Sequence, residues 1–251
     1  MKKFVFFLAI AAMVCTVSCK KDDKNKKGKG GDDTEYVAPV AIDGNFADWA
    51  ALDATKVQTI NTDPEAGKQD LKQVKFYSDE YFVYGYVKYN FTVDPAWAAD
   101  PEGKDHAILC LFINGDNDIN TGGYIGDWDH NVEVNGEAVS KPCFDVMIYH
   151  PVYDQGSWEG DWFAVYTWEG TPNTDGWDPF WTESDVENFY MAKGNDKEME
   201  FAITREFYPK GKMADDFTIG ISIQCGGWDA TGALPNSGSA NAKPFTVKLI
   251  K

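Results

Sequence analysis

The sequence predicts an all-β fold, a jelly-roll-like sandwich of two antiparallel sheets with short helical turns, and three observations predict it. Apolar and polar residues alternate with period two in several segments. One uninterrupted apolar run has the length of a strand buried on both faces. Gly, Asn, Asp and Pro punctuate the intervals between segments. No long stretch shows a helical period. A closed barrel is the alternative architecture.

Taken in chain order, residues 46–52 read as a short helical turn. Residues 73–79 and 81–90 flank Asp79-Glu80 and read as a hairpin. Residues 107–113 form the continuous apolar run, which suits a central strand. Residues 144–150 and 162–168 add two strands. The stretch 151–188 is rich in aromatics and turn residues and reads as an elaboration on the sandwich. In residues 198–204, Met199, Phe201 and Ile203 share one face, while Glu198, Glu200 and Thr204 share the other, so the strand is expected to pack on one side only. Residues 205–208 suggest a second helical turn. Phe217, Ile219, Ile221 and Ile223 repeat the alternation, as do Phe245, Val247 and Leu249. Together these make about ten strands, enough for a sandwich.

The N-terminus has the three parts of an export signal. Lys2 and Lys3 precede an apolar region, residues 4–17, that is shorter than the ~20 residues of a membrane span. Thr16-Val17-Ser18-Cys19 follows and resembles the lipobox of bacterial lipoproteins. That resemblance implies cleavage after residue 18 and a lipid anchor on Cys19. Residues 19–33 are charged and glycine-rich, with no apolar residue after Cys19, and read as a disordered tether. Lys20-Lys21-Asp22-Asp23 resembles the charged signals that send some lipoproteins to the outer surface. The expected location is the bacterial outer membrane, facing the cell surface, with the periplasmic face as the alternative. Residues 34–251 read as one domain.

Charge narrows the partners. The chain has 23 basic and 40 acidic residues; residues 1–33 hold eight lysines and four aspartates, which leaves a net charge of −21 on the rest. Arg205 is the only arginine. Nucleic-acid recognition depends on clustered Arg and Lys and is excluded on these grounds. An acidic surface suits neutral ligands or cations. Cys110, Cys143 and Cys225 remain beyond the signal region. Buried thiols are the favoured reading, and one disulfide plus a free thiol is the alternative.

Three short motifs follow one another along the domain. They are Ile42-Asp43-Gly44-Asn45-Phe46-Ala47-Asp48-Trp49, the aromatic strand Tyr81-Phe82-Val83-Tyr84-Gly85-Tyr86-Val87, and Asn114-Gly115-Asp116-Asn117-Asp118-Ile119-Asn120-Thr121-Gly122-Gly123 at the end of the apolar run. Their order resembles the family 9 carbohydrate-binding modules, as do residues 198–203 and the later Gly227-Trp228-Asp229. The resemblance implies a β-sandwich that binds sugar without catalysis, often with structural calcium. Asn114 departs from the family, which usually has aspartate there.

Asp116, Asp118 and Asn120 alternate in a turning loop, an arrangement able to aim oxygens at calcium, and Asp127 or Asp129 would close the shell. The plain alternative is an Asx/Gly turn between strands. Nine tryptophans are present, and Trp158, Trp162, Trp168, Trp177 and Trp181 fall within the aromatic stretch. Trp49 reads as core. Trp97 and Trp228 lie among Asp, Ala, Gly and Pro, and resemble the family's two sugar-stacking tryptophans; Trp177 and Trp181 are the next candidates. No nucleophile elbow, zinc-protease motif or phosphate-binding loop occurs. His106, His130 and His150 fit no zinc spacing, and Met147 with His150 is a poor haem pair. The expected function is non-catalytic binding of an oligosaccharide or polysaccharide. The alternatives are an adhesive surface protein with a protein ligand, or a glycoside hydrolase.

Overall fold

The computed structural model describes residues 36–61, 71–89, 107–118, 120–123, 132–134, 137–139, 143–153, 163–172, 181–184, 188–206, 208–211, 213–225, 229–234 and 245–248. The chain divides into two units at Ala41. Of the first, residues 36–41 are described and form no helix or strand. The second, Ile42–Lys251, holds every element below.

Two antiparallel sheets make up this unit. The first has the order β1 (Gln58–Asn61), β2 (Leu71–Ser78), β3 (Phe82–Tyr89), β11 (Glu198–Thr204), β10 (Tyr190–Gly194). The second runs β13 (Asp229–Leu234), β12 (Asp216–Cys225), β4 (Ala107–Asn114), β7 (Val146–Tyr153), β8 (Ala164–Trp168), β9 (Trp181–Glu183). β14 (Phe245–Lys248) pairs with the first half of β12 and β13 with its second half. β5 (Val132–Val134) and β6 (Glu137–Val139) form a separate two-stranded ladder. A single helical turn, α1 (Asp48–Ala51), lies within the expected residues 46–52. This is the open two-sheet architecture that the period-two pattern implies.

The main core lies between the sheets. Phe76, Val83, Val87, Met199, Phe201 and Ile203 come from the first sheet; Leu109, Leu111, Ile113, Phe217, Ile219 and Ile221 are among those from the second. The alternate residues of β4 serve elsewhere. Ile108, Cys110 and Phe112 join Phe144, Met147, Trp168 and Trp181 in a smaller cluster on the opposite face. Both faces of β4 are therefore buried, which is why its sequence is an unbroken apolar run.

Four expectations change. β8 and β9 are integral strands of the second sheet, so the stretch 151–188 is not merely an elaboration on it. β7 begins at Val146, because Phe144 instead bridges Gly123. Arg205 and Glu206 form a bend and a turn, not a helix; Arg205 is drawn toward the β2–β3 turn by bonds from Nη1 to the Asp79 and Glu80 carbonyls, both 3.3 Å. Finally, β11 is buried on both faces, Glu200 included.

The reason for the last is the first motif. Glu200 Oε1 accepts the Asp43 and Gly44 backbone N–H groups at 3.0 and 2.8 Å, and Oε2 accepts the Trp49 indole N–H at 3.3 Å. Gly44 has a φ of 82°, a left-handed conformation that glycine adopts without strain, and the two successive N–H groups converge on one oxygen. Phe46 and Trp49 then pack on Tyr86 with ring centroids 5.7 and 5.8 Å away. Residues 43–49 thus strap the outer face of the first sheet, and Trp49 is buried as expected.

Candidate functional site

The register of the second sheet sorts its connections by end. Ala107, the first residue of β4, faces Cys225, the last of β12, and Tyr153, the last of β7. The connection bearing Trp97 therefore enters the sheet beside the place where the connection bearing Trp228 leaves it. The β7–β8 connection, which carries Trp158 and Trp162, departs from the same end. Cys225 and Asp229 are themselves partners, and Trp228 belongs to the three residues that connect them. Trp97, Trp158, Trp162, Trp177 and Trp228 all lie outside the described residues.

The opposite end holds the Asp116 loop. β4 finishes there at Asn114, facing Thr218 of β12, and β8 finishes at Trp168. The connection bearing Trp177 leaves β8 at this end. Trp181 is buried, 8% exposed, with its ring edge-on to Trp168 at 5.4 Å. It packs in the outer cluster.

Asp116, Asp118 and Asn120 are exposed, and their side chains serve the loop itself. Asp116 Oδ1 accepts the Asp118 N–H at 2.9 Å, and the Thr121 hydroxyl lies 3.1 Å from both Asp116 oxygens. Asp118 Oδ1 accepts the Asn120 N–H and side-chain amide at 2.8 and 2.9 Å. These are Asx turns, which aspartate and asparagine form readily. Asp127 lies outside the described residues, as do Asp129 and Cys19.

Beneath the loop lies a knot that sequence reasoning missed. Asp145, buried just before β7, accepts the Gly115 N–H on Oδ1 at 3.1 Å and also the Tyr208 hydroxyl on that oxygen. Gly115 N–H reaches Tyr208 Oη as well, at 3.0 Å. Asn114 Nδ2 donates to the Asp118 carbonyl at 3.3 Å. That leaves two buried oxygens without a partner, Asp145 Oδ2 and Asn114 Oδ1. Burial pushes the Asp145 carboxyl up to about 7, and the Asp116 charge adds to the rise; the Tyr208 hydroxyl and Gly115 N–H oppose it. A polar residue at the head of an apolar strand was the only sequence signal for Asp145, and nothing marked Tyr208.

The orphaned oxygens bear on calcium. Among the described residues no three His, Cys, Asp or Glu side chains gather as metal ligands. A carboxylate oxygen and an amide oxygen are hard donors of the kind that calcium takes, and neither of these two has a hydrogen-bond partner. Calcium takes six to eight oxygen ligands, and Asn114 Oδ1 and Asp145 Oδ2 would supply two at most.

The other reactive groups are structural. Cys110 and Cys143 are buried and form no disulfide with each other; burial, aided by the Asp118 charge, pushes Cys143 up to about 11 and keeps its thiol protonated. His150 is buried between the sheets with Nδ1 2.8 Å from the Tyr190 hydroxyl. Met147 belongs to the outer cluster, on the other face of β7, so the two do not face one haem. His106 and His130 lie outside the described residues. No protein-family model matches the chain, and no curated protein is significantly similar to it. The resemblance to family 9 carbohydrate-binding modules rests on the short motifs of the sequence alone.

Proposed function

We propose that this chain is a non-catalytic glycan-binding lipoprotein, anchored in the bacterial outer membrane through Cys19 and facing the cell surface. It captures an oligosaccharide or polysaccharide on tryptophans at one end of its sandwich. One observation carries the reading: Ala107 is the cross-strand partner of both Cys225 and Tyr153. Four tryptophans, Trp97, Trp158, Trp162 and Trp228, are thereby borne on connections rooted within two strand widths of one another, ~10 Å. Pyranose rings present C–H faces that stack on indole, and an acidic, amide-rich surround supplies acceptors for hydroxyls.

A glycan-array screen of the full chain in detergent identifies the sugar, and titrations of variants then test the site. Trp97→Ala and Trp228→Ala should each weaken binding roughly tenfold or more, the ~1–3 kcal/mol typical of stacking on an aromatic ring. Their melting temperatures should stay near that of the parent. A core tryptophan would behave in the opposite way, costing ~3–5 kcal/mol of stability. Unchanged affinity in both variants removes the proposed site. The anchor has its own test. Acylation needs the thiol, so Cys19→Ala should move the protein from the membrane fraction to the soluble one; a variant that still pellets with membranes contradicts the lipoprotein reading.

A further inference from the structure

We infer that Asp145 is a proton-operated latch: while its carboxyl carries a proton it holds the Asp116 loop and Tyr208 closed on the end of the second sheet, and loss of that proton loosens them. The hydrogen bonds show which form the site is built for. Oδ1 accepts both the Gly115 N–H and the Tyr208 hydroxyl, while Oδ2 is buried and has no partner. Two donors on one oxygen and none on the other is the pattern of a neutral carboxylic acid, whose carbonyl oxygen accepts twice while the hydroxyl oxygen carries the proton. A buried carboxylate needs donors on both oxygens. The same residue fastens several segments. Its N–H donates to the Ile113 carbonyl at 2.9 Å, and its carbonyl accepts the Trp168 N–H at 3.0 Å. The Gly115 carbonyl in turn accepts the Ala214 N–H at 2.7 Å, and Phe144 exchanges backbone bonds with Gly123 at 2.8 and 2.6 Å.

The surroundings do not offset the charge that ionisation creates. Among the described residues no Lys or Arg pairs with Asp145; Lys210, just beyond Tyr208, is taken by Glu169 at 2.7 Å, and Arg205 by Asp215 at 3.2 Å. Tyr208 and Cys143 face the site as neutral groups, because burial raises the tyrosine well above its usual value and pushes the thiol up to about 11. The Asp116 charge acts on Asp145 itself and the Asp118 charge on Cys143. Burial therefore pushes the Asp145 carboxyl up to about 7, against the Tyr208 and Gly115 donors and with Asp116 adding to the rise. Once the latch is loosened the carboxyl returns towards the ordinary aspartate value of about 3.9. The closed form thus has its full advantage below about pH 4, and loses it by about tenfold per pH unit as pH rises through the folded value. An ionised Oδ2 needs water, and in the closed form that oxygen is screened from solvent.

Two measurements on the full chain in detergent test the latch. The first is the NMR shift of the Asp145 carboxyl carbon, assigned through its own backbone and followed against pH. It should titrate well above the ordinary aspartate range, close to the folded value. The second is hydrogen exchange of the Gly115 amide, corrected for its intrinsic rate. Its protection should fall by about tenfold per pH unit between about pH 4 and 7, while the Ile221 amide, in the middle of β12, changes only as the global stability does. Asp145→Asn has no proton to lose and should leave Gly115 protection level across that range. Tyr208→Phe removes a donor that opposes the rise, so the carboxyl midpoint should move higher still; this reading does not depend on whether Asp145→Asn folds. A parent midpoint in the ordinary aspartate range overturns the inference. So does Gly115 protection that is independent of pH or falls only in step with Ile221, a pH response retained in Asp145→Asn, or a Tyr208→Phe midpoint that does not rise.

Discussion

Gly85→Ala is expected to destabilise the sandwich by about 2–3 kcal/mol, the range of overpacking in a well-filled core. Gly85 lies at the middle of β3, opposite Phe76 of β2 on one side and Phe201 of β11 on the other. Both phenyl rings are fully buried and meet edge to face, 6.2 Å between centroids. The missing side chain at Gly85 leaves the space that Phe201 occupies. A Cβ at this position would stand 2.0 Å from Phe201 Cζ and 2.3 Å from Cε1. The ring cannot simply retreat, since Tyr190 is packed against it at 5.7 Å. Alanine's better strand propensity recovers only ~0.5–1 kcal/mol of this. At 2–4 °C per kcal/mol for a domain of this size, the midpoint should fall by roughly 5–10 °C. The control is a double-mutant cycle with Phe201→Ala, itself worth ~3–5 kcal/mol. If the contact is the cause, the alanine at 85 should cost far less once the ring is gone. Equal cost with and without the ring would assign the effect to the backbone instead.

The same strand shows what sequence can and cannot carry. The boundaries of β11, Glu198 to Thr204, follow directly from period two, because a strand facing a core must alternate. β4 was legible for the opposite reason, since burial on both faces removes the polar positions. β12 and β14 obeyed the first rule. β1, β9 and β10 escaped notice because an edge strand of three to five residues offers too few positions for a period to appear. The candidate site was legible by type and not by place. Nothing in the spacing of Trp97 and Trp228 says that their connections root at one end, because that is a property of the β4–β12 register. Trp177 and Trp181, four residues apart in sequence, proved to have different settings: one lies on a connection outside the described residues, the other is packed on Trp168. Asp145 and Tyr208 come together from 63 residues apart. Partners so distant leave no local signature, and each alone reads as an ordinary strand or turn residue.

Glu200 was misread for the same reason, and its replacement should have the largest effect on the outer face of the first sheet. Polar positions alternating with Met199, Phe201 and Ile203 imply a solvent face, yet Glu200 is 0% exposed. Its three donors come from more than 150 residues away. Glu200→Ala leaves the Asp43 and Gly44 N–H groups and the Trp49 indole without an acceptor. At ~1–3 kcal/mol for each buried unmet group, less what water recovers as the strap loosens, a loss of about 3–4 kcal/mol is expected. Glu200→Gln should lose less, about 1–2 kcal/mol, because an amide oxygen still accepts from the two backbone groups while its NH₂ opposes the indole N–H. Hydrogen exchange separates this from a general loss of stability: the amides of Asp43 and Gly44 should exchange much faster in Glu200→Ala, while β4 amides change only as the global stability does. The pH dependence has a definite sign. Burial raises the Glu200 carboxyl above the usual glutamate value, with the Asp43 charge adding to the rise, against the opposing pull of the Gly44, Asp43 and Trp49 donors. The folded state therefore keeps this proton to higher pH than the unfolded chain does. Its contribution is fully present below the ordinary glutamate pKa of about 4.3, and declines as pH rises from there through the raised folded value. Glu200→Gln has no proton to lose and should flatten that part of the stability profile. Identical slopes in parent and variant would show that the Glu200 carboxyl titrates alike in the folded and unfolded chains, and that burial does not raise it.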